Sequence, residues 1–220
     1  MNKTNRIFFY DNPYPLGHTL KEFVWSARLD PERGLLFDFH LVTDSYYAED
    51  DSNDDDEHLK SDWQSKTVWE NYHNCILSST EWHYGGIVIG TPENKFDFSK
   101  LNSATLTSDL LPLPEGFDFQ DLAFHVYLLG HDSCSNNKIT LNRNPDNTFE
   151  ISWTGKIART YYGDYEFKHD FEVNISNVKF DGIYFRYGLS VEENLKILEN
   201  CTVDPSIFKI AEDKFEVLNY

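Results

Sequence analysis

The chain has 220 residues and carries 37 Asp plus Glu against 19 Lys plus Arg, a formal net charge of −18. Such a field repels nucleic acid and anionic lipid and accelerates encounter with basic molecules. A nucleic-acid reader, which needs a basic patch to neutralise phosphates, is therefore excluded. The length suits one domain over residues 1–220, and aromatics make up 16% of it, material that fits pleated, half-buried surfaces.

Arg6 to Tyr10 reads as a first strand, closed by the turn-rich segment 11–17. Its four apolar residues are too few for a signal-peptide core, and no apolar run approaches a membrane span. Cys75, Cys134 and Cys201 are scattered and odd in number, which argues for reduced thiols and a cytoplasmic location rather than a secreted disulfide framework.

Phe23, Trp25, Ala27 and Leu29 recur at a spacing of two, as do Leu35, Phe37, Phe39 and Leu41. Between them, Asp30-Pro31-Glu32-Arg33-Gly34 has the residues of a type I turn with a glycine bulge. A hairpin pairing Leu29 with Leu35, Ala27 with Phe37 and Trp25 with Phe39 puts every apolar residue on one face. The rival, a short helix over 19–28, leaves the alternation unexplained.

Seven acids then fall within nine residues, Glu49 to Glu57; without them the charge is still −11. Adjacent like charges repel and resist packing, so a disordered acidic loop near 48–60 is expected. The run lacks the glycine and alternate spacing of a calcium loop. Its acids, Asp50, Asp51, Asp54, Asp55, Asp56 and Glu57, are candidates for gripping a basic partner.

Trp63, Trp69, Trp82 and several tyrosines lie in a polar context over 61–84, where periodicity does not separate helix from strand. Gly85-Gly86-Ile87-Val88-Ile89-Gly90 reads as a buried strand and lacks the Lys-Ser/Thr ending of a phosphate loop. From Leu101 to Asn137 there is no Lys or Arg, and Asp118 and Asp121 there form a second candidate acidic patch. Two prolines make 110–114 a loop, and Leu122 to Leu129 reads as a strand.

Phe149, Ile151, Trp153 and Ile157 alternate with Gly155 in register, and Phe171, Val173 and Ile175 do the same beyond Tyr161-Tyr162-Gly163-Asp164. Parity requires a three- or five-residue loop or a bulge, pairing Tyr161 with Tyr165 and Trp153 with Val173, with Gly155 making room for the Phe171 ring. Ser176-Asn177 reads as a further turn bringing Val178 and Phe180 against Ile175 and Val173, and the parity change after Asp181-Gly182 as another bulge. Ser190 and Glu193 form a capping box ahead of Val191, Leu195 and Leu198, so a helix is expected over about 190–200. Segments 208–210 and 215–217 read as short closing strands. The expected class is mainly β: antiparallel sheets in a sandwich or a strongly bent sheet of hairpins, with one short C-terminal helix.

Signatures of chemistry are sparse. No histidine pair has zinc-ligand spacing, and no Gly-x-Ser-x-Gly elbow occurs, so no metal or cofactor is expected. His125, His131 and Asp132, with Cys134, form the densest cluster. Catalysis by a cysteine or a carboxylate pair has no positional support, since buried Cys behaves as a small hydrophobe and acids abound. Exposed Trp63, Trp69 and Trp82 would suit sugar stacking in a carbohydrate-binding or carbohydrate-active β-sandwich, whereas Trp25 and Trp153 read as core.

In its acidic, aromatic-rich, single-domain character the chain resembles bacterial immunity proteins, without an alignable motif. That resemblance implies a cytoplasmic, non-enzymatic inhibitor of a basic partner such as a toxin nuclease, with aromatic anchors and acids facing Lys and Arg. The alternative is the carbohydrate-binding protein.

Overall fold

A computed structural model describes residues 4–49 and 61–218. In chain order the strands are β1 (Arg6–Phe9), β2 (His18–Asp30), β3 (Gly34–Thr43), β4 (Ile76–Ser78), β5 (Ile87–Gly90), β6 (Ser103–Ser108), β7 (Phe124–Tyr127), β8 (His131–Arg143), β9 (Phe149–Ala158), β10 (His169–Val178), β11 (Phe180–Tyr184), β12 (Phe208–Ala211) and β13 (Lys214–Val217). The helices are α1 (Lys66–Glu70) and α2 (Val191–Cys201).

The alternating residues of 23–41 form the β2–β3 hairpin in the expected register, with Leu29 opposite Leu35, Ala27 opposite Phe37 and Trp25 opposite Phe39. Gly34 at its bulge has φ of 98°, a conformation that favours glycine. The sheet then closes on itself. The ring runs β2-β1-β10-β9-β8-β7-β4-β3 and returns to β2, every pair antiparallel. A barrel of about eight strands leaves an interior that side chains can fill, and here aromatics fill it. Trp25 stacks on Phe39, Phe39 meets Trp153, and Trp153 meets Phe124 and Phe171.

Beyond the ring, the turn half of the β2–β3 hairpin is flanked by β11, which runs parallel to β2, and by β5 on β3; β13 and β12 continue outward from β11. β6 pairs with the second half of β8. Helix α2 lies against β2 and β3 through Leu198 and Cys201, its N-terminus closed by the expected capping box: Ser190 Oγ accepts from Glu193 N (3.2 Å) and Ser190 N donates to Glu193 Oε2 (2.8 Å).

The β9–β10 register is also the expected one, with Trp153 opposite Val173 and Gly155 opposite Phe171. A Cβ on Gly155 would lie 2.6 Å from the Phe171 ring and 3.0 Å from Asn137 Oδ1. Gly155→Ala therefore forces an over-packed core to shift and is expected to cost about 1–3 kcal/mol, read as a lower urea midpoint. An unchanged midpoint would show that the ring has another place to go.

Several expectations need correction. The close pairing of Tyr161 with Tyr165 does not form: the strands end at Ala158 and His169, and residues 159–168 make a longer loop holding a 3-10 turn, Thr160–Tyr162. Ser176-Asn177 is a bulge rather than a turn. Asn177 takes φ of 59°, but β10 continues to Val178, which pairs with Phe149. The second bulge, between Phe180 and Ile183, is present. β5 is an edge strand, and its Val88 is 46% exposed rather than buried. Trp63 and Trp69 are core residues, not sugar platforms. Trp63 Nε1 donates to Tyr10 O and Trp69 Nε1 to Trp63 O, both at 2.8 Å, so each indole is buried with its one donor satisfied. Segment 61–74, ambiguous in sequence, holds a 3-10 turn (Asp62–Gln64) followed by α1.

Of the expected acidic loop, Ala48 and Glu49 end a 3-10 turn, Tyr46–Glu49. Asp50, Asp51, Asp54, Asp55, Asp56 and Glu57 lie outside the described residues. No helix among the described residues is long and apolar enough to cross a membrane.

Candidate functional site

The outer face of β3, β4, β7 and β8 carries a polar row across four strands. Cross-strand register places His40 beside Ser78, Ser78 beside His125 and His125 beside Ser133. His40 Nδ1 lies 3.0 Å from Ser78 Oγ, and Ser133 Oγ lies 3.0 Å from Thr160 Oγ1. A sheet face this polar would ordinarily be open to solvent. Here the segment 79–86 folds over it.

That segment is held down by a buried ion pair. Arg28 and Asp38 stand on the outer face of the β2–β3 hairpin, and Arg28 Nη1 donates to Asp38 Oδ1. The same carboxylate oxygen accepts from Ser79 Oγ (2.8 Å), and Arg28 Nη2 donates to the Gly85 carbonyl (2.6 Å). Arg33 Nη2 adds a bond to the Tyr84 carbonyl (2.8 Å). Gly86, at φ of 82°, sits so close to Asp38 that a Cβ would lie 2.7 Å from Oδ1. At the other end Ser78 Oγ accepts from Thr80 N and Glu81 N, both at 3.1 Å. Pinned at both ends, the segment presents Trp82 and His83 over the histidines of the sheet. His83 and His125 have ring centroids 4.4 Å apart, and Trp82 meets His131 edge-on at 5.4 Å.

Together these residues line an open cleft of about 330 Å³: Trp82 and His83 from the segment, Phe119 and Gln120 from a 3-10 turn, His125 from β7, and Asp132 from the rim of β8, with Ser133 and Thr160 beside them. Of the sequence cluster His125, His131 and Asp132, the two histidines meet on this outer face, whereas Asp132 pairs with Val126 and turns to the inner face of the barrel. Cys134 is not part of it: it lies in the barrel core, its Sγ donating to Asn137 Oδ1 at 3.1 Å. Asp118 caps the 3-10 turn by accepting from Gln120 N (2.9 Å) and Asp121 ends it, so both exposed acids border the cleft.

Burial sets the ionisation of the groups in and beneath the cleft, Asp132 lying beneath it on the inner face of the barrel. Asp132 is 2% exposed; Oδ1 accepts from Tyr161 N at 3.3 Å and Oδ2 finds no hydrogen bond of good geometry among the described residues. Loss of solvent pushes its pKa up to about 6, only partly offset by the Tyr161 and Leu129 backbone N–H groups and the Arg159 charge. Burial, helped by His83, holds His125 down at about 4, so its ring is neutral at physiological pH. Burial also drives the Cys75 and Cys134 thiols well above their ordinary value, the opposite of what a nucleophile needs. Among the described residues no group of three or more His, Cys, Asp or Glu side chains is placed to hold a metal ion.

Comparison with known families, curated proteins and solved structures finds no match for this chain. Function therefore rests on the surface itself.

Next to the cleft, the 159–168 loop exposes Tyr161 (61%), Tyr162 (50%) and Tyr165 (60%). Phe119 joins them, 5.3 Å from the Tyr165 ring and stacked on Phe167. Asp62, five residues past the acidic run in sequence, accepts from Arg159 (3.0 Å), whose guanidinium lies over the Tyr162 ring, and Tyr162 Oη is 2.5 Å from Tyr72 Oη. Sequence reasoning missed Trp82 and His83 as partners of His125, and it missed the tyrosines of the loop. The glycine pair Gly85-Gly86 was the available signal, since close backbone approach is what such a pair permits.

Proposed function

We propose that the protein is a non-enzymatic acidic binding protein, an immunity or inhibitor protein that neutralises a basic partner such as a toxin nuclease in the cytoplasm. One observation carries the reading: exposed tyrosines 161, 162 and 165 stand on the loop that Asp62, five residues past the acidic run in sequence, bonds through Arg159, with Asp118 and Asp121 close by. Large rigid aromatics with exposed carboxylates nearby suit an interface with a cationic groove. The net charge of −18 supports rapid encounter with such a partner.

The test is capture from lysate at low and moderate salt, followed by identification and titration of the captured protein. The expected result is one basic protein in stoichiometric amount. Its association rate should fall about tenfold or more as salt rises through a Debye length of about 10 Å, and again when the acids of 49–57 become Asn and Gln. Absence of a basic partner at every salt concentration overturns the reading. The carbohydrate alternative retains one observation in its favour, Trp82 half-buried in a cleft beside histidines. It demands glycan affinity that persists in high salt.

A further inference from the structure

We propose that the basic partner lies along a ridge of aromatic rings that runs over the β7–β8 turn from Trp82 to Tyr161, with its arginine and lysine side chains set on the ring faces; this rests on the acidic-binding reading above. The ridge is continuous. Trp82 meets His131 edge-on at 5.4 Å, His131 meets Tyr127 at 5.3 Å, and Tyr127 meets Tyr72 at 6.1 Å. The Tyr72 hydroxyl lies 2.5 Å from that of Tyr162, and Tyr162 meets Tyr161 edge-on at 5.4 Å. These rings come from separate stretches of chain, yet none of them is buried: His131, Tyr161 and Tyr162 are exposed and the rest half-buried. The turn beneath makes room for them. A Cβ on Gly130 would lie 2.5 Å from the Tyr161 ring, so the ring rests directly on backbone.

Charge decides what the ridge holds. The face of an aromatic ring attracts a cation, and the fold already contains such a contact: the Arg159 guanidinium lies over Tyr162, 4.6 Å from the ring centre. That cation is itself neutralised, since Nη2 bonds Asp62 at 3.0 Å. Exposed carboxylates flank the rings, with Asp62 at one end, Glu81 beside Trp82 at the other, and Asp118 and Asp121 across the cleft. A basic surface gains from rings and acids together, whereas an acidic one is repelled by both. The rings are also braced edge to face by one another, so little side-chain freedom is lost when a partner lands on them. This divides the work. The acids speed encounter, and the ridge slows departure.

The experiment has two arms. In the first, the full chain, isotope-labelled at tyrosine, histidine and tryptophan, is titrated with an oligo-arginine peptide amide at moderate salt, and with cellobiose alongside. Saturable shifts of the Trp82, Tyr127, His131 and Tyr161 ring signals are expected with the peptide and none with the sugar. Tyr187, 99% exposed in the stretch between β11 and α2, is the reference ring and should move less. In the second arm, binding of the captured basic protein is timed against His131→Ala, Trp82→Ala and Tyr161→Ala. Each should dissociate about tenfold faster with association nearly unchanged, and Tyr187→Ala should alter neither rate. His131 and Tyr161 are exposed, so their removal leaves the fold in place, as the urea midpoint checks. Ridge rings indifferent to oligo-arginine, or an equal response to cellobiose, overturn the ridge. The two readings fail separately. Dissociation hastened by Tyr161→Ala but by neither His131→Ala nor Trp82→Ala confines the contact to the loop, which removes the ridge and leaves the inhibitor standing. Ridge shifts with oligo-arginine and no basic protein captured remove the inhibitor and leave a cation-accepting surface.

Discussion

Replacing Asp132 by asparagine is expected to stabilise the protein at neutral pH by about 2–3 kcal/mol. The carboxyl group is 2% exposed, and burial has moved its pKa from 3.8 to about 6. At 1.36 kcal/mol for each tenfold change in the ionisation equilibrium, that displacement corresponds to about 2–3 kcal/mol. The direction follows from linkage. A group whose pKa is higher in the folded than in the unfolded chain favours folding when protonated, and that contribution is lost as pH rises through the folded value. The native protein thus carries its full penalty above about pH 7. Asparagine is shaped like the protonated acid and keeps an acceptor for Tyr161 N, so it escapes the penalty. Urea unfolding of both proteins between about pH 4 and pH 8 should show a gain that is largest above about pH 7, shrinks through pH 6 and vanishes near pH 4. For a chain of this size it amounts to a rise in Tm of about 5–10 °C. A gain equal at every pH, or a loss at pH 7, would show that the Asp132 charge is already satisfied.

How much of this was readable beforehand divides along the range of the interactions. The β2–β3 hairpin was legible because strict alternation of Phe23, Trp25, Ala27 and Leu29 against Leu35, Phe37, Phe39 and Leu41 admits one register, and a slip by one residue would expose every one of them. The β9–β10 pairing was legible for the same reason, with Gly155 marking where an aromatic ring must fit. Helix α2 announced itself through Ser190 and Glu193. Closure into a barrel left no local trace. It depends on β1 pairing with β10 and on β4 sitting between β3 and β7, contacts that no short window contains.

Local signals also misled where tertiary packing overrode them. Asn177 has the positive φ of a turn residue, but the strand continues because Val178 gains a partner and a place in the core. Trp63 and Trp69 stand among polar residues because those neighbours serve the short helices around them. Ser61 and Gln64 close a capping box, and Ser65 caps α1 through Val68 N. The indoles themselves turn inward, with Trp63 stacked on His169. For the candidate site, His125 and His131 of the sequence cluster supplied half of the cleft. The other half, Trp82 and His83, lies some forty residues away and arrives because the pair Arg28–Asp38, with Arg33 and Ser78, holds segment 79–86 to the barrel.

That pair underlies the second large effect. Asp38→Ala removes the carboxylate that accepts from both Arg28 Nη1 and Ser79 Oγ, while leaving a guanidinium buried with the Gly85 carbonyl as its remaining strong partner in this group. Breaking a buried ion pair from one side costs about 3–5 kcal/mol, more than the pair's net worth, because a charge is stranded away from water. Burial already raises the Asp38 pKa despite the Arg28 charge beside it, which shows how far desolvation weighs here. The double variant Arg28→Met/Asp38→Leu strands nothing and should recover most of the stability. It should not recover the cleft, since neither apolar side chain can hold Ser79 Oγ or the Gly85 carbonyl, and Trp82 and His83 lose their anchor. Denaturation reports the first property, and the chemical shifts of the His125 and His131 ring signals, set by Trp82 and His83 beside them, report the second. If the double variant regains both stability and the native ring shifts, the ion pair is a packing element with no part in building the cleft. If Asp38→Ala unfolds within about 0.5 kcal/mol of the native protein, the charge of Arg28 has found water, and the segment 79–86 is held by its backbone bonds to Phe39 and Ala123 and by the Ser78 and Arg33 side chains.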